Sequence, residues 1–377
     1  MVKFIFWLSF LLLFYIYIGY PALVVIRARL FPKPVRTGLY DGTCTVIITA
    51  YNEAPRLQAK IESLLKQTAV HRIDAILIGS DGSTDNTVDV ARQFTDPRVQ
   101  VRSFANRRGK PSVLNDLVHE STAPILVMTD ARQRLEPTAI EELMRYFADS
   151  GVGVVSGELV FDPEHQTTTT ARGMGAYWEY EKMIRKQESA GGSVPGATGA
   201  LYAIRRELAK PIPADTLLDD VALPMLAMET GARCVFQDKA LAYDIPSQIA
   251  AKESVRKRRT IAGVFQLVAM FPRWWLPGGH PCWFSFASHK VTRLVSPLAL
   301  VTTLVCNSAL LNSPGYQFFI CAQMLFYSFA WLGWWMDRTG RHIRGLGLPF
   351  MFLAMNVYTV LAFSDLIRGK TSVAWHK

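Results

Sequence analysis

The sequence predicts an α/β domain built on a mostly parallel sheet, set between one N-terminal transmembrane helix and a C-terminal interfacial and transmembrane region. Three observations predict it. Short apolar runs alternate with helix-length stretches from about residue 40 to 250, the pattern of parallel strands joined by crossover helices. Phe4 to Ile26 carries no charge and is long enough to cross a bilayer. No charged residue occurs between Arg293 and Asp337.

Half of the 377 residues are hydrophobic, and the mean hydropathy is positive, with the excess in residues 4–26 and 294–364. Lys3 precedes the first span, while Arg27, Arg29, Lys33 and Arg36 follow it. That asymmetry places the following chain in the cytoplasm, at the inner membrane. A cleaved leader would want a positive start and a small-residue cleavage site, and neither is clear. Pro32 and Pro34 mark a linker.

The elements then come in order. Thr45 to Ala50 reads as a strand, and Asn52-Glu53-Ala54-Pro55 opens a helix to about Gln67. Asp74 to Gly79 is the next strand, and Ser80 to Thr87 is a turn that caps a helix. Val99 to Val101 is a third strand, and Arg107 to Pro111 leads into a helix through Val118. Pro124 to Asp130 is an apolar run ending on an acid, and a helix follows from about Pro137 to Phe147. Ligands collect beyond the carboxyl ends of such strands, although Asp130 also suits a plain helix cap. Val152 to Val160 is a strand, residues 164–195 are mostly helical, Asp215 to Glu229 is a helix and Ala232 to Phe236 a late strand.

After Ser254 the chain turns basic at Arg256-Lys257-Arg258-Arg259. Ile261, Val264, Phe265, Val268 and Phe271 then make a helical stripe beside Trp274, Trp275, Trp283 and Phe284, which suits a helix lying in the membrane interface. A buried helix of the soluble domain is the plainer alternative. Asn312-Ser313-Pro314-Gly315 splits the uncharged run into a hairpin, and Leu346 to Phe363 is a last candidate span. Arg338, Arg341 and Arg344 favour the cytoplasm, as do Arg368, Lys370 and Lys377, so three spans strain the position of the tail. The resulting division is residues 1–28 as a membrane helix, 40–250 as the catalytic domain, 254–290 as an interfacial segment and 294–364 as two or three spans.

The net charge is +10, which fits an anionic membrane surface or a phosphorylated ligand. Nucleic acid is poorly supported, because the basic residues flank apolar spans. The five cysteines have no metal-ligand spacing and read as reduced thiols. Acids stand in or after strand-to-helix turns at Glu53, Asp81, Asp130 and Asp219-Asp220, with bases at Arg108, Lys110, Arg256, Arg258 and Arg259 between or after them. A nucleotide diphosphate needs both signs. Gly109-Lys110 lacks the spacing of a P-loop, and no Gly-x-Gly-x-x-Gly opens the first helix.

The motifs Ala50-Tyr51-Asn52-Glu53, Asp81-Gly82-Ser83-Thr84-Asp85, Thr129-Asp130, Gly199-Ala200-Leu201 and Leu218-Asp219-Asp220 occur in that order. In that order they resemble family 2 glycosyltransferases of GT-A fold, in the membrane-embedded subgroup similar to cellulose, chitin, hyaluronan and poly-N-acetylglucosamine synthases. The resemblance covers roughly residues 44–265. It implies that Ala50, Asn52, Glu53 and Asp81 hold the nucleoside of a UDP-sugar, and that Arg108 or Lys110 touches phosphate. Asp130 would bind a divalent cation, Mg²⁺ or Mn²⁺. Asp219 and Asp220 would be the catalytic acids, with Asp220 as the base. Arg256 and Arg259 fall where processive members have Gln-x-x-Arg-Trp, so Arg259 would pair with the diphosphate. Trp178, Gly199 and Ala200 would face the acceptor.

Three departures stand out. The family's Asp-x-Asp is Asp130-Ala131-Arg132, Gln becomes Arg256, and Trp becomes Thr260. The expected activity is inverting transfer to a growing surface polysaccharide, with a glycan or lipid-linked acceptor and export or assembly partners. Single-sugar transfer to a polyprenyl-linked acceptor and a catalytically silent membrane scaffold are the rivals.

Overall fold

The computed structural model describes residues 1–161, 169–244, 250–339, 343 and 345–370. Its strands are β1 (Cys44–Ala50), β2 (Ile73–Asp81), β3 (Val99–Phe104), β4 (Ile125–Met128), β5 (Arg134–Leu135), β6 (Val152–Phe161), β7 (Tyr202–Arg205) and β8 (Arg233–Asp244). They form one sheet in the order β3-β2-β1-β4-β7-β6-β8-β5. Strands β3, β2, β1 and β4 are parallel, which stacks their carboxyl ends along one edge. Every residue of β1 and β4 is buried, as both-face coverage by helices requires.

The sequence missed two strands. Strand β7 runs antiparallel between β4 and β6, and β5 pairs antiparallel with β8. Each is four residues or shorter, too short to show a period of its own. β7 carries Gly199 to the site, because it begins three residues after that glycine and its register with β4 brings Tyr202 opposite Met128.

Among the described residues four helices are long and apolar enough to cross a membrane: Val2–Leu30, Trp283–Ser308, Pro314–Arg338 and Gly347–Ile367. The break expected at Asn312 to Gly315 lies between the second and third. The second begins at Trp283 rather than near residue 294, because His289 and Arg293 are paired with acids of the helix Thr169–Gly191. Arg341, Arg344 and Lys377 lie outside the described residues, as does the start of the stretch expected to be helical from residue 164.

The helix Ala250–Met270 covers part of its apolar stripe with protein: Ile261 is buried, and Val264, Phe265, Val268 and Phe271 are half-buried against the domain core and the last span. The stripe packs on Leu217, Leu218 and Ala362, joining the domain core to the last membrane helix. Trp274 is also buried, stacked on Phe271 at 4.0 Å with its indole N–H donating to Glu229. The stripe faces Leu217 and Leu218, the apolar residues just before the helix Asp219–Met228. Arg258 is likewise committed, bonded through Nε to Asp365 of the last span at 2.9 Å.

Candidate active site

Two loops at the carboxyl edge of the sheet are clasped by Asn52. Its backbone has φ 53°, a left-handed conformation that asparagine tolerates. Its side-chain oxygen accepts the Thr84 N–H at 2.7 Å, and its own N–H donates to Ser83 Oγ at 3.1 Å. The Glu53 N–H donates to Thr87 Oγ1 at 2.8 Å, while its carboxylate pairs with Arg56 at 3.1 Å.

Asp81, at the end of β2, holds a third loop. One oxygen accepts the Arg108 N–H at 2.7 Å and the other the Gly109 N–H at 2.9 Å. Gly82 makes this approach possible, since a Cβ there would lie 2.9 Å from the Arg107 nitrogen and its φ is +67°. Gly109, with φ +89°, turns the chain into the helix Lys110–Glu120. Asp81 thereby sets where Lys110 starts.

Lys110 is the centre of the site. Its Nζ donates to Asp130 Oδ1 at 3.0 Å and lies 3.0 Å from Asp219 Oδ2. Asp220 follows one residue on, and its Oδ2 accepts the Gly199 N–H at 3.0 Å. A small pocket, with about 10 Å³ of free volume, is lined by Lys110, Thr129, Gly199, Tyr202 and Asp219 among others. The Tyr202 hydroxyl is buried there without a hydrogen-bond partner among the described residues.

The charges shift one another. Burial raises the Asp220 carboxyl and neighbouring Asp219 raises it further, to about 6. Burial works against the Lys110 ammonium, yet Asp130, Asp219 and Asp220 together hold its pKa above the ordinary lysine value. Burial alone would raise Asp130, but Lys110, Arg132 and Lys60 outweigh it and hold the carboxyl below its ordinary value. Burial lowers the Arg259 guanidinium against the pull of Asp219, Asp130 and Asp220, so Arg259 belongs to the same electrostatic cluster.

Sequence reasoning missed Lys60. It is fully buried beneath the Asp130 turn, where Nζ donates to Thr129 Oγ1 at 2.6 Å and to the Gln133 carbonyl at 3.0 Å. Burial brings its pKa down to about 7. The signal was present, because Lys60 stands on the same helix face as Leu57, Ile61 and Leu64, all fully buried.

Other expected residues sit elsewhere. Ala50 and Ala200 are closed in the core, so neither offers a surface to nucleotide or acceptor. The Arg108 guanidinium turns away to Asp116 and lies 4.3 Å over the Phe104 ring, leaving Lys110 as the base that reaches the acids. Arg256 is exposed, and its carbonyl accepts the Thr260 hydroxyl. The Trp178 indole donates to the Leu159 carbonyl at 2.7 Å, and the ring lines a different cavity with Glu158, Lys182, Arg185 and Phe236.

The residues do not fit a divalent ion held by protein ligands alone. Among the described residues no three His, Cys, Asp or Glu side chains gather as a metal-binding group. Arg132 stands where a second acid would be, and it pairs with Asp244 at 3.0 Å. Asp130 itself is hydrogen-bonded to an ammonium.

Residues 45–212 match the family model Glycosyl transferase family 2. The chain carries a family 2 glycosyltransferase domain. It is similar to the hyaluronan synthase of Streptococcus pyogenes serotype M3, at 25% identity over 239 residues, or 58% of this chain and 56% of that protein. It thus spans about half the length of that relative. A shorter stretch of 105 residues, 27% of this chain, is 34% identical to 11% of the Pasteurella multocida chondroitin synthase. The fold is shared almost end to end with a mannosyltransferase of Pyrobaculum calidifontis in complex with GDP-Man and Mn²⁺. The TM-score is 0.74 at 21% identity, covering 98% of this chain and 100% of that one. That likeness supports the GT-A-like fold of the domain.

Proposed function

We propose that the family 2 domain transfers a sugar, with inversion, from a nucleotide sugar to a growing surface polysaccharide. The observation that carries this reading is the meeting of Lys110, Asp130 and Asp219 at 3.0 Å, with Asp220 next in the chain and bonded to the Gly199 N–H. Asn52, Glu53 and Asp81 frame the nucleoside end, and UDP is the first choice of nucleotide. Lys110 and Arg259 meet the diphosphate.

In the reaction an acceptor hydroxyl attacks the anomeric carbon while the bond to phosphate breaks. Asp220 takes the hydroxyl proton, a role commonly worth about 10²–10⁴ in rate. Lys110 and Arg259 stabilise the charge that collects on the departing diphosphate. A single displacement converts an α-linked donor into a β-glycoside. Mg²⁺ or Mn²⁺ would enter on the donor's phosphates and keep several waters, the usual way a hard cation binds with one or two carboxylates. The basic residues after the first span favour a cytoplasmic domain at the inner membrane, and the relatives favour a glycan acceptor.

Single-sugar transfer to a lipid-linked acceptor is the second reading. It is favoured by Thr260 in place of the family's tryptophan and by the tie of Trp178 to Leu159. Purified full chain in detergent, given UDP-sugars and GDP-mannose, should release a nucleoside diphosphate, and product masses should form a ladder. One added sugar selects the second reading. No release from any donor rejects both and leaves a membrane scaffold.

A further inference from the structure

The mismatch between this site and a protein-held metal has a physical cause. A divalent ion near Asp130 would compete with the Lys110 ammonium, which already holds one oxygen of Asp130 and one of Asp219. That ammonium lies 3.0 Å from Asp130 and 3.0 Å from Asp219, and its side chain is only 14% exposed. Asp81 fixes it in place through the Gly109 N–H at the start of its helix. Arg132 and buried Lys60 add positive charge around the same carboxylate. Asp130 thus sits in a ring of the chain's own basic groups, of which Lys110 is held charged and Lys60, brought down to about 7, only partly so. A dication brought alone to this ring would meet like charge and would have to displace a hydrogen-bonded ammonium.

We infer that Lys110 is the resident counter-cation of this site and keeps divalent ions from binding Asp130 and Asp219 in the absence of a donor. The inference rests on the proposed site but not on any transfer reaction. It makes Lys110 a specificity residue for the inorganic partner. A cation enters only with a ligand that supplies its own oxygens and takes over the ammonium as its partner. The acids of the site stay paired between turnovers.

Manganese titration of the purified full-length chain, without nucleotide and read by electron paramagnetic resonance, tests this directly. Wild type is expected to leave the free Mn²⁺ signal unchanged at stoichiometric concentrations. Lys110→Gln should take up one Mn²⁺ about a hundredfold more tightly than wild type, as removal of one partner of a buried pair uncovers the other. Lys110→Arg should stay closed, and Asp130→Asn added to Lys110→Gln should abolish the gain. Tight uptake of one Mn²⁺ by wild type overturns the inference, as does a folded Lys110→Gln with no gain. Should thermal melting show Lys110→Gln unfolded, Lys110→Met and the wild-type titration decide on the same criteria. No nucleotide sugar enters the experiment, so a chain that transfers no sugar still passes or fails it on these terms.

Discussion

The cluster around Lys110 and the cluster around His289 both set basic groups against carboxylates and differ in access to solvent. At His289 the imidazole Nδ1 lies 2.9 Å from Glu188 and Nε2 lies 2.9 Å from Glu181. Arg293 also bonds Glu181, and the Tyr20 hydroxyl donates to Glu188. The side chains of Glu188 and His289 are 0% and 1% exposed. At the other cluster Asp130 is 32% exposed and Asp220 is half-buried. The sealed cluster joins the N-terminal span, the helix Thr169–Gly191 and the span from Trp283, and it fixes the domain against the membrane helices. In the open one burial and Asp219 raise the Asp220 carboxyl to about 6. Paired charge serves as a fastener where water is excluded and as chemistry where a ligand can enter.

The comparison is broken most sharply at Asp220. Asp220→Asn should fold and bind nucleotide but lose about 10²–10⁴ in transfer rate. Nucleoside diphosphate release from the best donor measures it, and wild-type turnover would remove Asp220 from the role. At the sealed cluster the expected loss is of stability. His289→Leu leaves Glu188 buried without its imidazole and should cost about 3–5 kcal/mol, read as a lowered melting temperature in detergent. Equal melting of variant and wild type would mean that the joint does not fasten the domain.

A pH profile sharpens the open half. Asp220 must be ionised to accept a proton, and its carboxyl is raised to about 6. The transfer rate should therefore rise as pH climbs through about 6 and fall below it, since the protonated acid cannot act as base. A rate flat across that region would assign the proton to another group. The smallest effect is expected at Trp178. Trp178→Phe removes the hydrogen bond to Leu159 and should cost about 1 kcal/mol of stability with product length unchanged. Shortened products would return Trp178 to the acceptor.

Much of the domain was legible in the chain, for a local reason. Strands β1, β2 and β4 announce themselves as apolar runs, and acids just after them stand where parallel sheets place ligands. The uncharged stretches at both ends similarly give the four membrane-length helices. Trp274 is buried in protein instead of lying at the membrane interface, and the sequence could not show that because an amphipathic face has the same period whether lipid or protein covers it.

What the sequence by itself determined is the alternation of strands and helices, the acids at the strand ends and the long apolar helices, because each depends on the order of neighbouring residues. Only the tertiary structure decided which base meets which acid. Lys110 rather than Arg108 lies between Asp130 and Asp219, and His289 meets Glu188 across 101 residues of chain. Those pairings depend on how separate elements pack, because a charge commits to a partner only where folding brings the two together and drives the water out.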